Sequence, residues 1–217
     1  MGVCFVGARN FHRFILDFIP PSPGPIRRLE PPGEVLGEHH GVHTLTVGQG
    51  LKRRDGNWRK NYRRSRSGKY FVAERCAETN TVFVVEETDH PALYSDSLIV
   101  EDLHWISDRG HRDYVVDNDN DDNEIFDGVT EDGFNYHGRP LVDFQYNNSV
   151  PVTEPCALRK MKNLDYHRAR LKNPFRAITP GQFAVFYRGA ELLGSGKTVR
   201  PGPSLYDGQM RNAKTVA

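Results

Sequence analysis

The sequence predicts a mainly β protein, with a small central β domain, a second, C-terminal β domain that is a barrel or a sandwich, and one N-terminal helix. Three observations support this: short segments of alternating apolar residues, turns rich in glycine and proline between them, and only one segment with helical spacing. The clearest strand signal is Ile178 to Arg200, which is predicted to form a β-hairpin around a turn at Arg188-Gly189. Its first strand is apolar on both faces, which is typical of a strand covered on both sides in a barrel or a sandwich.

The N-terminal segment combines a strand-like run, Gly2 to Gly7, with the predicted helix. Asn10 is a suitable helix cap, and Pro20 and Pro21 end the helix. The apolar stripe has the spacing i, i+3, i+4, i+7 and i+8, and consists of Phe11, Phe14, Ile15, Phe18 and Ile19. So aromatic a helix has nothing to pack against by itself, and we expect it to dock on a partner domain.

The central β domain is predicted after a Pro/Gly linker that runs from Pro20 to Gly33. Two short strands are expected within Glu34 to Gly50, around a Gly-rich turn. Tyr70 to Ala73 and Thr81 to Glu86 are expected to be two more strands, which complete the domain.

The C-terminal β domain is predicted from the hairpin and from three strand-like segments before it, Leu141 to Tyr146, Val150 to Leu158 and Leu164 to Leu171. Thr179-Pro180-Gly181 has the composition of a turn, and it places Gln182 at the mouth of the first hairpin strand.

Two motifs that suggest ligand sites lack the context those sites need. The three histidines within residues 39–43 have no carboxylate or cysteine at ligand spacing, so no metal is predicted. Gly194 to Thr198 looks like the end of a phosphate-binding loop. However, Glu191 stands where that loop needs a glycine, and Pro201 follows where it needs a helix. We therefore predict no ATP binding by this segment.

The charge is segregated, although the net charge is only +1. Residues 52–69 hold nine Lys or Arg and one Asp, with Trp58 and Tyr62 between them. This composition suits phosphate contact and base stacking, and it suits a solvated loop equally well, so both interpretations stay open. Residues 117–132 hold eight acidic residues and no basic one, and they are predicted to be a disordered insertion without a calcium-loop pattern.

The sequence excludes several classes of protein. It has no apolar run long enough to cross a membrane, so no membrane partner is predicted, and no secretory signal precedes the first structured segment. Its three cysteines, Cys4, Cys76 and Cys156, fit neither a disulfide framework nor a zinc site, which favours a reducing compartment. Cys76 and Cys156 fall in predicted strands, where we expect a structural role.

The hairpin run TPGQFAVFY, followed by LGSGK, resembles the C-terminal barrel of the tRNA-specific 2-thiouridylases. Members of this family replace the oxygen on carbon 2 of a wobble uridine with sulfur. The resemblance extends to GVCFVG with its aromatic helix and Pro-rich exit, and to GEHHGVHTLTVGQ in the central domain. It covers nearly all of this chain.

The resemblance implies a catalytic role for Cys4, which in the family receives sulfur as a persulfide and passes it to the uridine. That chemistry needs a thiolate, and Arg9 and His12 are close enough in sequence to lower the pKa of the thiol. From the sequence by itself, a buried small hydrophobic residue is the commoner fate of a free cysteine.

The resemblance also implies contacts with tRNA. Gln145-Tyr146 stands at a family Arg-Tyr pair, where the glutamine keeps hydrogen bonding but lacks the charge of arginine. Gln182 is expected to contact tRNA at the barrel mouth. The remaining predicted tRNA-binding residues lie in or beside the basic segment and are Gln49, Arg53 and Arg54.

The family implies three parts for this chain. Residues 1–25 are the tail of a catalytic domain, residues 26–94 the central β domain with a basic insertion at 52–69, and residues 95–217 the barrel with an acidic insertion at about 110–139. The N-terminal helix is then what this chain retains of an α/β ATP-binding domain, because the family's ATP site is absent here. ATP is the implied cofactor, and the implied partners are tRNA, a sulfur-donor protein and a separate ATP-binding domain.

By this resemblance the chain is expected to be mitochondrial in a eukaryote and otherwise cytoplasmic, and inactive by itself. Two alternatives stay open at this point. One is a non-catalytic RNA-binding β module in which Cys4 has no role, and the other is an inactive truncated product.

Overall fold

The computed structural model describes residues 11–30, 33–52, 55–58, 69–107, 109–117, 135–136, 139–146, 153–161 and 165–208. The chain forms two compact units, residues 1–93 and residues 94–217. Most described residues lie in β-strands, so the predicted mainly β fold is confirmed. No helix in the described ranges combines the length and the apolar character needed to span a membrane.

In the described part of the first unit there are one helix and one six-stranded sheet. The elements are α1 (Phe11–Leu16), β1 (Gly24–Arg28), β2 (Val35–His39), β3 (Gly50–Leu51), β4 (Gly56–Trp58), β5 (Tyr70–Cys76) and β6 (Thr81–Val85), with 3-10 turns at Val42–Thr44 and Pro91–Leu93. The strand order is β3-β5-β6-β1-β2-β4, and only β1 and β6 are parallel neighbours. The core side chains are Ile26, Leu36, Leu45, Leu51, Tyr70, Val72, Val82 and Val84.

The predictions for this unit were partly wrong. β1 lies in the predicted linker, and it tolerates Pro25 because pairing with β6 begins only at the next residue, Ile26. The second strand expected within residues 34–50 is largely a 3-10 turn, and β4 lies inside the predicted basic loop. The helix α1 ends at Leu16, earlier than expected, and Phe18 beyond it is exposed.

The described part of the second unit contains nine strands, the short helix α2 and four further helical residues at 205–208. The named elements are β7 (Tyr94–Trp105), α2 (Arg109–Tyr114), β8 (Val115–Asp117), β9 (Asn135–Tyr136), β10 (Arg139–Pro140), β11 (Val142–Tyr146), β12 (Glu154–Lys160), β13 (Tyr166–Arg176), β14 (Phe183–Arg188) and β15 (Glu191–Pro201). The predicted hairpin is confirmed as β14 and β15. The acidic insertion, expected at about 110–139, contains ordered elements at its start, α2 and β8.

Six strands of this unit close into a barrel. The antiparallel order β11-β14-β15-β7-β13-β12 returns to β11, because the first half of β12 pairs with β11. The second half of β12 pairs in parallel with β8, so these two strands share one edge of β12. The closed ring removes the exposed edges that an open sheet would leave.

The barrel interior is filled by the inward side chains of these strands, among them Leu98, Val100, Phe144, Leu158 and Phe186. Gly194 and Gly196 face inward on β15, where an added Cβ would meet the backbone of β7. These two glycines therefore allow close strand packing, and the segment they belong to is a strand. A phosphate-binding loop is a turn between a strand and a helix, whereas this segment is itself a strand.

Candidate nucleic-acid interface

The predicted turn before β14 is present and holds Gln182 at the barrel mouth. Gly181 has φ +86°, the value that position i+2 of a type II turn requires, and Pro180 fixes the position before it. The N–H of Gln182 lies 3.5 Å from the carbonyl oxygen of Thr179 and closes the turn. The turn is fixed to β15 by Gly181 N–H to Thr198 O and Thr198 N–H to Gln182 O, both 2.8 Å.

The side chain of Gln182 is exposed and makes no hydrogen bond to any described residue. Phe183, the next residue, is 61% exposed, which is unusual for so large an apolar side chain. The prediction that both faces of this strand are covered is therefore wrong at Phe183. The turn before β14 thus ends in an exposed amide, and β14 begins with an exposed ring.

Tyr146 lies under this turn, with 4% of its surface exposed. Its hydroxyl donates to the carbonyl oxygen of Thr179 and accepts from the N–H of the same residue, both at 2.6 Å. Burial raises the pKa of Tyr146, although the bonds to Thr179 act in the opposite direction. Its ring packs against Phe144 and Phe175 inside the barrel, and the contact of Tyr146 with tRNA stays a prediction.

Gln145 faces outward on β11, between the inward residues Phe144 and Tyr146. It is half-buried and stands opposite Val185 of β14, one pair of outward residues away from Phe183. The structure therefore places Gln145 and Phe183 on the outer barrel surface, whereas Gln182, in the turn before β14, is paired through its backbone with Thr198, whose side chain is buried.

Gln49 lies in the first unit, in a turn of its own. Its N–H donates to the carbonyl oxygen of Thr46 at 3.0 Å, and its side-chain oxygen accepts from the N–H of Thr46 at 3.0 Å. Gly48 has φ +80° within this turn. The amide oxygen predicted to contact tRNA thus has a partner within the turn.

Several predicted features concern the first unit. Cys4, Arg53 and Arg54 lie outside the described residues. Trp58, expected in a basic loop, belongs to β4, and its ring stacks on Tyr70 with centroids 6.0 Å apart. Among the described residues, no three histidine, cysteine or carboxylate side chains approach closely enough to hold a metal ion.

The two described cysteines lie in strands, as predicted. Cys156 is buried in the barrel core, and burial raises the pKa of its thiol. Cys76 ends β5 and is partly exposed, and a hydrogen bond with the Thr79 side chain lowers the pKa of its thiol.

Two family descriptions match this chain. Residues 12–86 match the "tRNA methyl transferase PRC-barrel domain", and residues 142–198 match the "Aminomethyltransferase beta-barrel domain". The chain is 35% identical to "Mitochondrial tRNA-specific 2-thiouridylase 1" of Danio rerio, over 99% of this chain and 44% of that protein. The protein of the same name in Homo sapiens is 35% identical over 95% of this chain and 41% of its own length.

A bacterial relative, "tRNA-specific 2-thiouridylase MnmA" of Idiomarina loihiensis, is 33% identical over 90% of this chain and 44% of its own length. The chain belongs to the tRNA-specific 2-thiouridylase family. It corresponds to the C-terminal portion of the family and spans less than half the length of these relatives. The two matched regions are the family's two β parts, and the Gln182 turn lies in the second of them.

Proposed function

We propose that this chain is the part of a tRNA-specific 2-thiouridylase that binds tRNA and carries the sulfur-transferring cysteine, Cys4. The observation that supports the proposal most is the likeness to named 2-thiouridylases along 99% of this chain. In this proposal the Cys4 thiolate takes the outer sulfur of a donor persulfide, and the donor leaves as a thiol. The Cys4 persulfide then attacks carbon 2 of the wobble uridine, whose oxygen has been activated by ATP and leaves as AMP. A cysteine thiol of the ATP-binding domain cleaves the S–S bond, so that 2-thiouridine is released and this thiol forms a disulfide with Cys4. The barrel mouth at Gln182 holds the tRNA.

ATP and its binding domain are the remaining parts of the proposal. Within the described residues, the segment with a phosphate-loop-like sequence is strand β15, which does not suit an ATP site. ATP activation is therefore assigned to a separate domain, and the chain by itself is expected to leave tRNA unmodified. Because the animal relatives are named mitochondrial, we also propose a mitochondrial location.

A complemented sulfur-transfer assay tests this function. The chain is mixed with ATP, a persulfide donor, a tRNA transcript with a wobble uridine and the ATP-binding part of the Danio rerio relative, and 2-thiouridine is measured by mass spectrometry. We expect product with the wild-type chain and none with Cys4→Ser, because serine cannot carry a persulfide. Cys76→Ser, which changes the partly exposed strand cysteine, is the matched control and retains activity.

Two outcomes contradict the proposal in different ways. Product formed by the Cys4→Ser variant removes this cysteine from the reaction. Tight tRNA binding without any product in the complemented assay instead favours a non-catalytic RNA-binding module.

A further inference from the structure

The short linker between α1 and β1 is anchored by a side chain that is distant in the sequence. Asn80 lies in the turn between β5 and β6, and its side-chain amide nitrogen is 3.1 Å from the carbonyl oxygen of Ser22 and 3.0 Å from that of Pro23. The same nitrogen lies 3.2 Å from the hydroxyl oxygen of Ser22. An amide nitrogen has two hydrogens to donate, so the linker takes up the whole donor capacity of this side chain.

The backbone around Asn80 completes this joint. Asn80 has φ +47°, in the left-handed region that asparagine adopts more readily than most residues. Its carbonyl oxygen accepts a 3.1 Å hydrogen bond from the buried imidazole of His39. A Cβ at Gly24 would overlap that oxygen, so the linker comes this close only because residue 24 is glycine. From the other side, the N–H of Ser22 donates to the carbonyl oxygen of His40 at 2.9 Å.

Apolar packing contributes little to the position of the linker. Residues 17–23 are all exposed, and among them the large side chains of Phe18 and Ile19 are 70% and 42% exposed. The hydrogen bonds to Asn80 and His40 are therefore the contacts that fix this part of the chain.

The joint also sets the direction of the N-terminal segment. Residues 17–21 separate the end of α1 from Ser22, and within them Pro20 and Pro21 have a fixed φ. A connection so short and stiff transmits the position of Ser22 to α1. Cys4 precedes α1 in the sequence, so the covalent path from this cysteine to the central β domain runs through the linker.

We propose that Asn80 is a positioning residue for sulfur transfer, which locks the linker and thereby holds Cys4 at the distance from the bound tRNA that the transfer needs. This inference rests on the proposed function, because it assumes that Cys4 carries the sulfur and that the β parts of the chain hold the tRNA. Asn80 acts through Ser22 and Pro23 and takes no part in the chemistry. Without the lock, the α1 segment changes its direction relative to the β domain, and fewer molecules have the sulfur beside the uridine.

Asn80→Gly tests the lock, because glycine adopts positive φ readily and keeps the carbonyl that His39 binds, so that only the amide is lost. The variant is loaded with a persulfide on Cys4 and mixed with ATP, a tRNA transcript and the ATP-binding part of the Danio rerio relative. Single-turnover formation of 2-thiouridine is then followed. We expect the rate at saturating tRNA to fall about tenfold or more. The tRNA concentration that gives half of this rate should stay within about twofold of the wild-type value, because positioning leaves binding of the substrate unchanged.

Two further measurements show where the effect arises. Transfer of sulfur from the donor to Cys4, measured by mass spectrometry on the chain by itself, should be unchanged, because loading needs no fixed distance to the β domain. Hydrogen exchange of the Ser22 amide, which donates to His40, should become faster as the linker detaches. Asn80→Asp should behave as Asn80→Gly does, since a carboxylate accepts hydrogen bonds and cannot donate to the two linker carbonyls.

Thr81→Val is the matched control for loss of a hydrogen bond in the same turn. The Thr81 hydroxyl is buried and donates to the carbonyl oxygen of Thr79 at 3.1 Å, which is not part of the linker. This variant should lower the melting temperature about as much as Asn80→Gly, and keep the wild-type rate of transfer and the wild-type exchange at Ser22.

Three results would overturn the positioning role: equal rates of transfer in Asn80→Gly and the wild type, equal losses in Asn80→Gly and Thr81→Val, or slower loading of Cys4 in Asn80→Gly. The proposed function would survive each of them, because the wild-type chain still forms product. A wild-type chain that forms no 2-thiouridine overturns the proposed function and this inference together.

Discussion

His39 is an imidazole buried in the first unit, with 1% of its surface exposed. Its Nε2–H donates to the carbonyl oxygen of Asn80, at 3.1 Å. Burial lowers the pKa of His39, and His40 and His43 lower it further, while the bond to Asn80 and the charge of Glu38 act in the opposite direction. The side chain is therefore a neutral part of the core at neutral pH.

This lowered pKa predicts a pH-dependent stability. In the unfolded chain His39 takes up a proton near pH 6.5, whereas the folded chain resists protonation until lower pH. The stabilisation is complete above about pH 6.5 and declines as the pH falls towards the folded pKa, by at most about 1.4 kcal/mol per pH unit. Urea unfolding from pH 7.5 to 5 should show a shallower decline in His39→Gln than in the wild type.

His104→Gln is the control for this measurement, because His104 is exposed on the outer face of the barrel. It should follow the wild-type decline. Parallel curves for the wild type and His39→Gln would show that His39 does not titrate differently in the folded chain.

For single residues, the sequence predicted correctly those features that depend on adjacent residues in the chain. The Pro-Gly turn that presents Gln182 follows from turn preferences within four residues, and it was predicted correctly. The hydroxyl of Tyr146 acts on a threonine 33 residues away in the sequence. No local pattern contains that partner, so burial of Tyr146 and its role in the turn could be found only in the structure.

Among the elements, the turn before β14 depends on a single backbone conformation. An added Cβ at Gly181 would meet no atom within 4 Å, so any cost of Gly181→Ala arises from its φ of +86°. We expect a destabilisation of about 1 kcal/mol. Relief of this strain moves the turn, so RNA affinity should fall together with stability.

Gly208→Ala is the control for loss of a glycine, because Gly208 also has open space around its Cβ position but has no positive φ and lies in the helical residues 205–208, where alanine stabilises the chain. Thermal unfolding of both variants separates conformational strain from loss of a glycine. Equal melting temperatures for Gly181→Ala and the wild type would contradict the strain assigned to this turn.

The strands show the same division between local and distant causes. The hairpin of β14 and β15 has strong alternation and a short turn, and its prediction was confirmed. β1 was not predicted because its proline and glycine content is typical of a linker. It is a strand because it pairs with β2 and β6. β4 was missed because Gly56–Trp58 has no apolar alternation and is a strand only through its pairing with β2.

On the scale of the whole molecule, the chain has one basic segment, residues 52–69, and one acidic segment, residues 117–132, although its net charge is only +1. Closure of the barrel could not be predicted, since the sequence does not state that the first half of β12 pairs with β11 and the second half with β8. The basic segment at 52–69, by contrast, is evident from composition. Whether it contacts RNA is a question of electrostatics that salt dependence can answer.

The prediction concerns the slope of log affinity against log salt for a tRNA transcript. Each lysine or arginine that binds a phosphate contributes on the order of 0.7 to 0.9 to this slope, because binding releases counterions. If Arg53 and Arg54 both contact phosphates, Arg53→Gln/Arg54→Gln should flatten the slope by about 1.4 to 1.8. Gln182→Ala should lower affinity and leave the slope unchanged, because an amide forms a hydrogen bond without an ion pair.

A matched pair of arginines separates a local contact from the effect of total charge. Arg109 and Arg112 in α2 are exposed and lie near Asp113, and Arg109→Gln/Arg112→Gln removes the same two charges. If the basic segment binds phosphates, the slope changes in the Arg53/Arg54 variant and stays at the wild-type value in the Arg109/Arg112 variant. If the Arg53/Arg54 variant also keeps the wild-type slope, the basic segment is a solvated surface. The barrel mouth would then have to hold the RNA by itself.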